Sequence, residues 1–478
     1  MASPKIVVIG AGSFFFGRPV VWNMMHSEVL RPGTLALVDT KPEVLSTMMK
    51  LARKAIAATK APTKLIGSTD RREVLKDADF VVLTFSERNA YHRGLDCEIA
   101  AKYGIRMCSG DTIGPGGIFR ALREVPRALA MAQDVARLAP NAWVINFVNP
   151  TSVLGIALMR YAPEVRSFAI CDGLHEPYNR INILKRVGIL PQDAVNVPVE
   201  VERKLDLRIA GVNHFTWMLK FTYAGKDYMP AWRKMVAEEA RKELEAVSAA
   251  QGSAALMKDN NARAKARYNW NYSLQLMDIF GAYPDRIAHT KEYLPFWQGY
   301  GVKPCKPGPL VIFDAVERQK AMNERWAETK AYADGRKPMK QFIATGRSDH
   351  ATDIIESMWG RLGKSFYVNT ANRGAVTNMA QDAFLELRSD VDMSGPRPQP
   401  VGEMPRGLLG LQQLVLDTHE LTAQAAATCD REALLRAFIT DPIVSNIEDA
   451  KAIIDETLRR QKDILPKGWY AKKSRKKL

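Results

Sequence analysis

Two side chains suited to metal chemistry stand next to strand-like apolar runs. Cys171 follows Ser167-Phe168-Ala169-Ile170, and His214 lies in Gly211-Val212-Asn213-His214-Phe215-Thr216-Trp217, just after another apolar run. A soft thiolate and an imidazole delivered from separate elements could hold a divalent metal and leave positions open for substrate oxygens. Taken alone the pair reads first as what a protein core contains, a packed thiol and a hydrogen-bonded imidazole. The chain has only 7 histidines, so the context of each one counts. His175, four residues after Cys171, reads either as a helix-start residue or as a donor behind the thiol. Thr84, Asn149, Cys171 and Asp172 all follow apolar runs, at the carboxyl ends of strands where open α/β sheets bind ligands.

A second constellation lies at the N-terminus. Lys5-Ile6-Val7-Val8-Ile9 reads as a buried strand, followed by Gly10-Ala11-Gly12-Ser13 and a helical stretch. Glycines after a first strand let the backbone approach a pyrophosphate, which then sits on the helix N-terminus. The next strand, Leu35-Ala36-Leu37-Val38, ends in Asp39. A carboxylate there accepts from ribose hydroxyls and repels the 2′-phosphate of NADP. Phe15 stands where the G-x-G-x-x-G fingerprint wants its third glycine, and Asp39 is further from the turn than the usual spacing of about 20 residues. The strand before and the strand-Asp after still specify NAD binding by Gly10, Gly12, Ser13 and Asp39.

Positioning these groups requires an α/β scaffold. Further strands are expected at Lys64–Gly67, Asp79–Thr84, Ala142–Phe147 and Ser167–Ile170, separated by helical periodicity. Six such strands predict a doubly wound, Rossmann-type parallel sheet. Beyond about residue 195 the pattern changes to long amphipathic helices such as Ala231–Ala249, short strands and turns over Lys364–Leu387, and mostly helix over Ala423–Leu465. The expected division is a dinucleotide-binding domain over 1–195 and an α+β domain for substrate and metal over 196–478. No linker separates them, so the second half is expected to pack on the first.

Composition narrows the function classes. Of 478 residues, 46% are hydrophobic and 25% charged, which argues against long disorder or a coiled coil. No apolar run reaches membrane-spanning length, and no secretory signal is read at the N-terminus. Five cysteines, odd in number and never in a CxxC, argue against a disulfide framework and for a reducing, cytoplasmic setting. The net charge of +16 raises the question of nucleic acid, but the last seven residues carry five of the cations. They read as a solvated tail, so nucleic-acid binding is not expected.

Several blocks together resemble the NAD- and metal-dependent glycosidases of glycoside hydrolase family 4. They are Lys5–Ser13, Ala78–Val82, the run Asp111-Thr112-Ile113-Gly114-Pro115-Gly116-Gly117-Ile118-Phe119-Arg120-Ala121-Leu122-Arg123, then Asn149-Pro150, Cys171-Asp172, Gly211–His214, His289–Pro295 and Tyr367–Gly374. They stand in the family's order and span most of the chain. The resemblance implies a C-terminal domain similar to that of the lactate and malate dehydrogenases, and a homodimer or homotetramer. It also implies an unusual hydrolysis that does without the carboxylate pair of other glycosidases. NAD+ takes hydride from C3 of a small sugar, the C2 proton becomes acidic, and Mn2+ or another divalent metal stabilises the charge on the C2 and C3 oxygens. The aglycone then leaves by elimination, water adds at C1, and the hydride returns.

Carried onto this chain, the resemblance makes Cys171 and His214 the metal ligands, Asp172 the leaving-group acid and Asn149 a substrate contact. The base is Tyr283 or Asp285 in Gly281-Ala282-Tyr283-Pro284-Asp285-Arg286-Ile287-Ala288-His289, and residue type alone does not separate them. Arg286 and His289 are expected at the substrate. Arg18, Arg88, His92 and Arg93 are candidate contacts for an anionic sugar, whereas the bulky Phe14-Phe15-Phe16 points to an unphosphorylated α-glycoside. The competing class is a plain NAD-dependent dehydrogenase of a hydroxy acid or sugar, which needs no metal.

Overall fold

The computed structural model describes residues 3–13, 17–249, 268–298, 310, 312–344 and 350–471. The basic tail and Phe14-Phe15-Phe16 lie outside the described residues. Six strands form the parallel half: β1 (Lys5–Ile9), β2 (Thr34–Val38), β3 (Lys64–Ser68), β4 (Phe80–Leu83), β5 (Trp143–Asn146) and β6 (Arg166–Ala169). They are the six runs expected from sequence, with no end shifted by more than one residue. Their order is β3-β2-β1-β4-β5-β6, every neighbouring pair parallel. This is the doubly wound arrangement, whose crevice opens where the order reverses, between β1 and β4. β1, β4 and β5 carry apolar residues on both faces because both faces are covered.

The remaining strands extend the same sheet. They are β7 (Leu205–Gly211), β8 (Trp217–Tyr223), β9 (Lys226–Asp227), β10 (Tyr283–Pro284), β11 (Ser365–Ala371), β12 (Phe384–Asp392) and β13 (Gly395–Pro398). The path runs on from β6 to β11, β12, β7, β8 and β10, with β13 on β12 and β9 on β8. The junction is a single antiparallel pairing of Asn369 with Ala169; Asn369 pairs on to Glu386 and Glu386 to Gly211, so the ends of β6 and β7 lie in one row across the sheet.

Segments after residue 195 cover both faces of the parallel half. On one face Ile6, Val8, Leu35 and Leu37 pack with Tyr332, Phe342, Ile354 and Met358. On the other, Val7, Ile9 and Val81 join a core with Phe119, Leu434, Phe438 and Trp469. Arg123 and Asp96, both buried, pair at 2.7 Å and share Gln461, which ties the last long helix, Ile447–Arg460, to the first half. Paired in this way, neither charge is left without a partner in the core. None of the described helices is long and apolar enough to cross a membrane.

Candidate active site

The glycine turn after β1 is braced from two strands. The N–H groups of Gly10 and Ala11 both donate to Val38 O at 2.9 Å, and the Thr84 hydroxyl donates to Gly10 O at 2.8 Å. Gly10 has φ +90°, and a Cβ there would meet Phe85 N at 2.6 Å, so only glycine fits. Asp39 closes the turn. Its Oδ2 accepts from Gly12 N at 3.0 Å and its Oδ1 from Lys41 N at 3.1 Å. Ser13 is part of the turn, its N–H donating to Gly10 O at 2.9 Å. The four residues expected at the dinucleotide are thus adjacent. Asp39→Gly is expected to narrow the preference for NAD+ over NADP+ by roughly tenfold to a hundredfold, the worth of one charged hydrogen bond. Ratios of kcat/KM for the two cofactors check this, and a wild type that uses both equally well would remove Asp39 from the ribose.

Cys171 and His214 converge. The thiol Sγ lies 3.1 Å from His214 Nε2, and both residues are buried. β6 delivers the cysteine and β7 the histidine, each just past its strand end. His214 has φ +64°, a left-handed conformation that costs a residue with a Cβ about 1–3 kcal/mol. The Phe215 N–H donating to Val212 O at 2.8 Å holds this turn. The neighbouring Asn213 side chain donates to Glu386 Oε2 at 3.1 Å. Burial, followed by His289, pushes His214 well below the usual imidazole range, so the ring is neutral and has a lone pair. A neutral imidazole facing a thiol suits a divalent cation. Among the described residues no group of three or more His, Cys, Asp or Glu side chains is arranged to hold a metal. Cys171 and His214 together offer one sulfur and one nitrogen donor.

The Gly-Pro-Gly-Gly block shapes the loop beside this pair. It opens the helix Gly114–Leu138, and a Cβ at Gly116 or Gly117 would meet Gly110 O at 2.5 Å or the Thr112 carbonyl carbon at 2.2 Å. The glycines let residues 110–112 fold back over the first turn. Glu292 holds that loop by accepting the N–H groups of Ser109 and Gly110, the latter at 2.7 Å. Asp441 accepts from Gly114 N at 2.8 Å. Burial would raise the Asp111 carboxyl, but Arg93 and Arg120 outweigh it and hold the group well below the usual carboxylate range. Asn149 donates to Asp111 Oδ2 at 3.3 Å and accepts from the Thr151 hydroxyl at 2.6 Å, which places it at the same crevice.

The other expected residues fall at different distances from the chemistry. The His289 ring stacks on His214 with centroids 4.1 Å apart and planes 12° apart. Arg286 Nη1 donates to Gly173 O at 2.7 Å, clamping the turn that follows Cys171. The Asp172 backbone begins that turn, while its side chain lies outside what the structure describes. Tyr283 packs its ring against Trp232 at 5.3 Å, in an apolar cluster with Leu207, Met218 and Phe221. Burial, with Asp285 adding to it, raises the Tyr283 phenol, the opposite of what a base at neutral pH needs. Asp285 Oδ2 is sealed from solvent with no hydrogen-bond partner among the described residues. Burial pushes its carboxyl up to about 6, against the opposing pull of Arg286.

The candidate cations are engaged by the protein itself. Arg18 pairs with Glu328 at 3.1 Å, Arg93 pairs with Asp111 at 3.4 Å, and Arg88 lies over the Tyr91 ring at 4.3 Å. Burial takes His92 down to about 4, so it is neutral at neutral pH. Sequence reasoning gave no role to Thr112, whose hydroxyl lies 2.9 Å from His214 Nδ1, or to His350, whose Nδ1 lies 2.9 Å from the Cys171 carbonyl oxygen. Their only sequence signal was Thr112's place in the block before the glycines. His175 binds Asp353 at 2.9 Å and stacks on His350 at 4.7 Å, behind the thiol.

The model of the family 4 glycosyl hydrolases matches residues 5–187, and the model of that family's C-terminal domain matches residues 209–444. The chain is a family 4 glycosyl hydrolase. Curated relatives of this glycosidase include an alpha-galactosidase of Bacillus subtilis (strain 168), 26% identical over 97% of this chain and 99% of the relative. An alpha-galacturonidase of Lachnoclostridium phytofermentans is 27% identical over 97% of each. Among solved structures, a 6-phospho-alpha-glucosidase from gut microorganisms, crystallised in complex with NAD and Mn2+, shares the fold. Its TM-score is 0.75 at 21% identity, covering 97% of this glycosidase and 99% of that chain.

Proposed function

We propose that this family 4 glycosidase hydrolyses a small, unphosphorylated α-glycoside with NAD+ and a divalent cation, Mn2+ or one like it. The observation that carries the reading is the convergence of Cys171 Sγ and His214 Nε2 at 3.1 Å in the crevice that also holds Asn149. The NAD- and Mn2+-bound family relative and the alpha-galactosidase among the relatives support it. When bound, the dinucleotide accepts and returns a hydride at C3 of the sugar, and the cation withdraws charge from the C2 and C3 oxygens.

The chain's own residues do the rest. Residues 1–195 hold the dinucleotide on the Gly10–Ser13 turn, with Asp39 at the ribose. Residues 196–478 supply the sugar pocket and His214, while Cys171 comes from the first segment. Asn149 and His289 contact the sugar, and Arg286 orients the turn carrying Cys171 and Asp172. Asp285 removes the C2 proton, with Tyr283 as the alternative. Asp172 protonates the departing aglycone. A phosphorylated substrate is disfavoured because Arg18 and Arg93 are already paired and His92 is neutral. A thiolate ligand requires a reducing compartment, which supports a cytoplasmic location.

An aryl α-glycoside assay after chelation tests this. Turnover is expected only when NAD+ and Mn2+ are both restored, with no net NADH. Hydrolysis with neither, or stoichiometric NADH release as a dehydrogenase would give, contradicts the proposal.

A further inference from the structure

We infer that Thr112 is a positioning residue that fixes the His214 ring in the tautomer whose lone pair lies on Nε2, facing Cys171. The inference rests on the metal site proposed above and adds a residue to it. Thr112 Oγ1 lies 2.9 Å from His214 Nδ1 and 3.3 Å from Asp111 Oδ1. A hydroxyl has one proton to give, and where that proton goes decides the state of the ring.

Asp111 gives that proton an acceptor. Its Oδ1 accepts from Ser109 Oγ at 2.6 Å and from Thr112, and its Oδ2 from Arg120 at 3.2 Å and Asn149 at 3.3 Å, with Arg93 at 3.4 Å. Surrounded by donors and two guanidinium groups, this carboxylate can only accept. With the Thr112 proton given to Asp111, its oxygen presents a lone pair to His214. Nδ1 must then carry the ring proton, which leaves Nε2 bare 3.1 Å from Cys171 Sγ.

Other contacts leave the ring little alternative. His289 covers one of its faces, and the left-handed backbone at His214 aims the side chain into this slot. Asp111, Thr112 and His214 are 6%, 3% and 5% exposed, so water does not compete for these bonds. The loop bearing Thr112 is itself held by Glu292 and Asp441. Hydrogen bonds to the far nitrogen of a ligating histidine set its tautomer and orientation, and losing one typically costs 10–100-fold in metal affinity.

The test uses the full chain, titrated with Mn2+ and followed by the electron paramagnetic resonance of the free ion. Thr112→Val keeps the shape and removes the hydroxyl, and is expected to weaken Mn2+ binding by roughly 10–100-fold. Thr112→Ser is expected to bind within a few-fold of the wild type. In parallel, the 15N signals of His214 in metal-free wild-type protein should show a protonated Nδ1 and an unprotonated Nε2. That readout needs no variant to fold. Wild-type Mn2+ affinity in Thr112→Val, or a His214 protonated at Nε2, overturns the inference. The control is His214→Ala. If it alone loses Mn2+ while Thr112→Val does not, the metal site stands and the role of Thr112 falls. Should His214→Ala bind Mn2+ as the wild type does, the metal site itself is contradicted, and this inference with it.

Discussion

Cys171→Ser and His214→Ala are each expected to cut metal-dependent turnover by on the order of a thousandfold, since Lewis-acid stabilisation is worth several kcal/mol. The affinity for NAD+ should stay within a few-fold of the parent protein. Serine keeps the size of cysteine but offers a hydroxyl that does not ionise at neutral pH, in place of a soft thiolate. The dinucleotide turn is built from Gly10, Gly12, Ser13 and Asp39, braced by Val38 and Thr84, whereas the Cys171–His214 pair lies past the ends of β6 and β7. Steady-state rates with and without Mn2+, together with fluorescence titration of NAD+, separate the two effects. Full activity in either variant after chelation and reloading would remove that residue from the metal site.

The second large effect falls on the base. Asp285→Asn is expected to lower kcat by about 10²–10⁴-fold, the range for losing a general base. Tyr283→Phe should change kcat by less than about tenfold, because the phenol sits in an apolar cluster beside Trp232 and is raised further from neutrality by burial. The pH profile separates them as well. A base acts when deprotonated, and burial has pushed the Asp285 carboxyl up to about 6. The rate should therefore fall tenfold per pH unit below about 6 in the wild type and in Tyr283→Phe. That acidic limb should vanish from the residual activity of Asp285→Asn. A large loss in Tyr283→Phe with a mild one in Asp285→Asn would reverse the assignment.

The parallel strands were legible in the sequence because each is a short run of apolar residues closed by a turn signal. Lys5–Ile9 before two glycines and the run ending at Asn149-Pro150 show the pattern, since buried parallel strands need apolar side chains on both faces. The sheet's continuation was less visible, because β6 joins β11 through one pair of residues about two hundred positions apart. Local periodicity carries no trace of such a pairing. The same limit hid Thr112, which meets His214 across 102 residues, and His350, which meets the Cys171 carbonyl across 179. The partners of the candidate cations were hidden for a related reason. Arg18 looked available for an anion, yet its partner Glu328 is 310 residues away, on the helix Ala315–Asp334. Residue type located the thiol, the imidazole and the glycine turn. Which of two nearby groups is the base depends on burial, which places Tyr283 against Trp232 and leaves Asp285 Oδ2 without a hydrogen-bond partner among the described residues.

The fate of the hydrogen at C2 of the sugar tests the account most directly. A substrate deuterated at C2 is hydrolysed in ordinary water with NAD+ and Mn2+ present, and the isolated sugar is analysed by NMR and mass spectrometry. Removal of the C2 proton by Asp285 before the aglycone leaves predicts solvent hydrogen at C2 in the product. It also predicts a primary isotope effect wherever that step limits turnover. Displacement across the glycosidic bond by a pair of carboxylates leaves the C2–H bond intact. Product that retains its C2 deuterium completely, with turnover unaffected by the label, would contradict the elimination route.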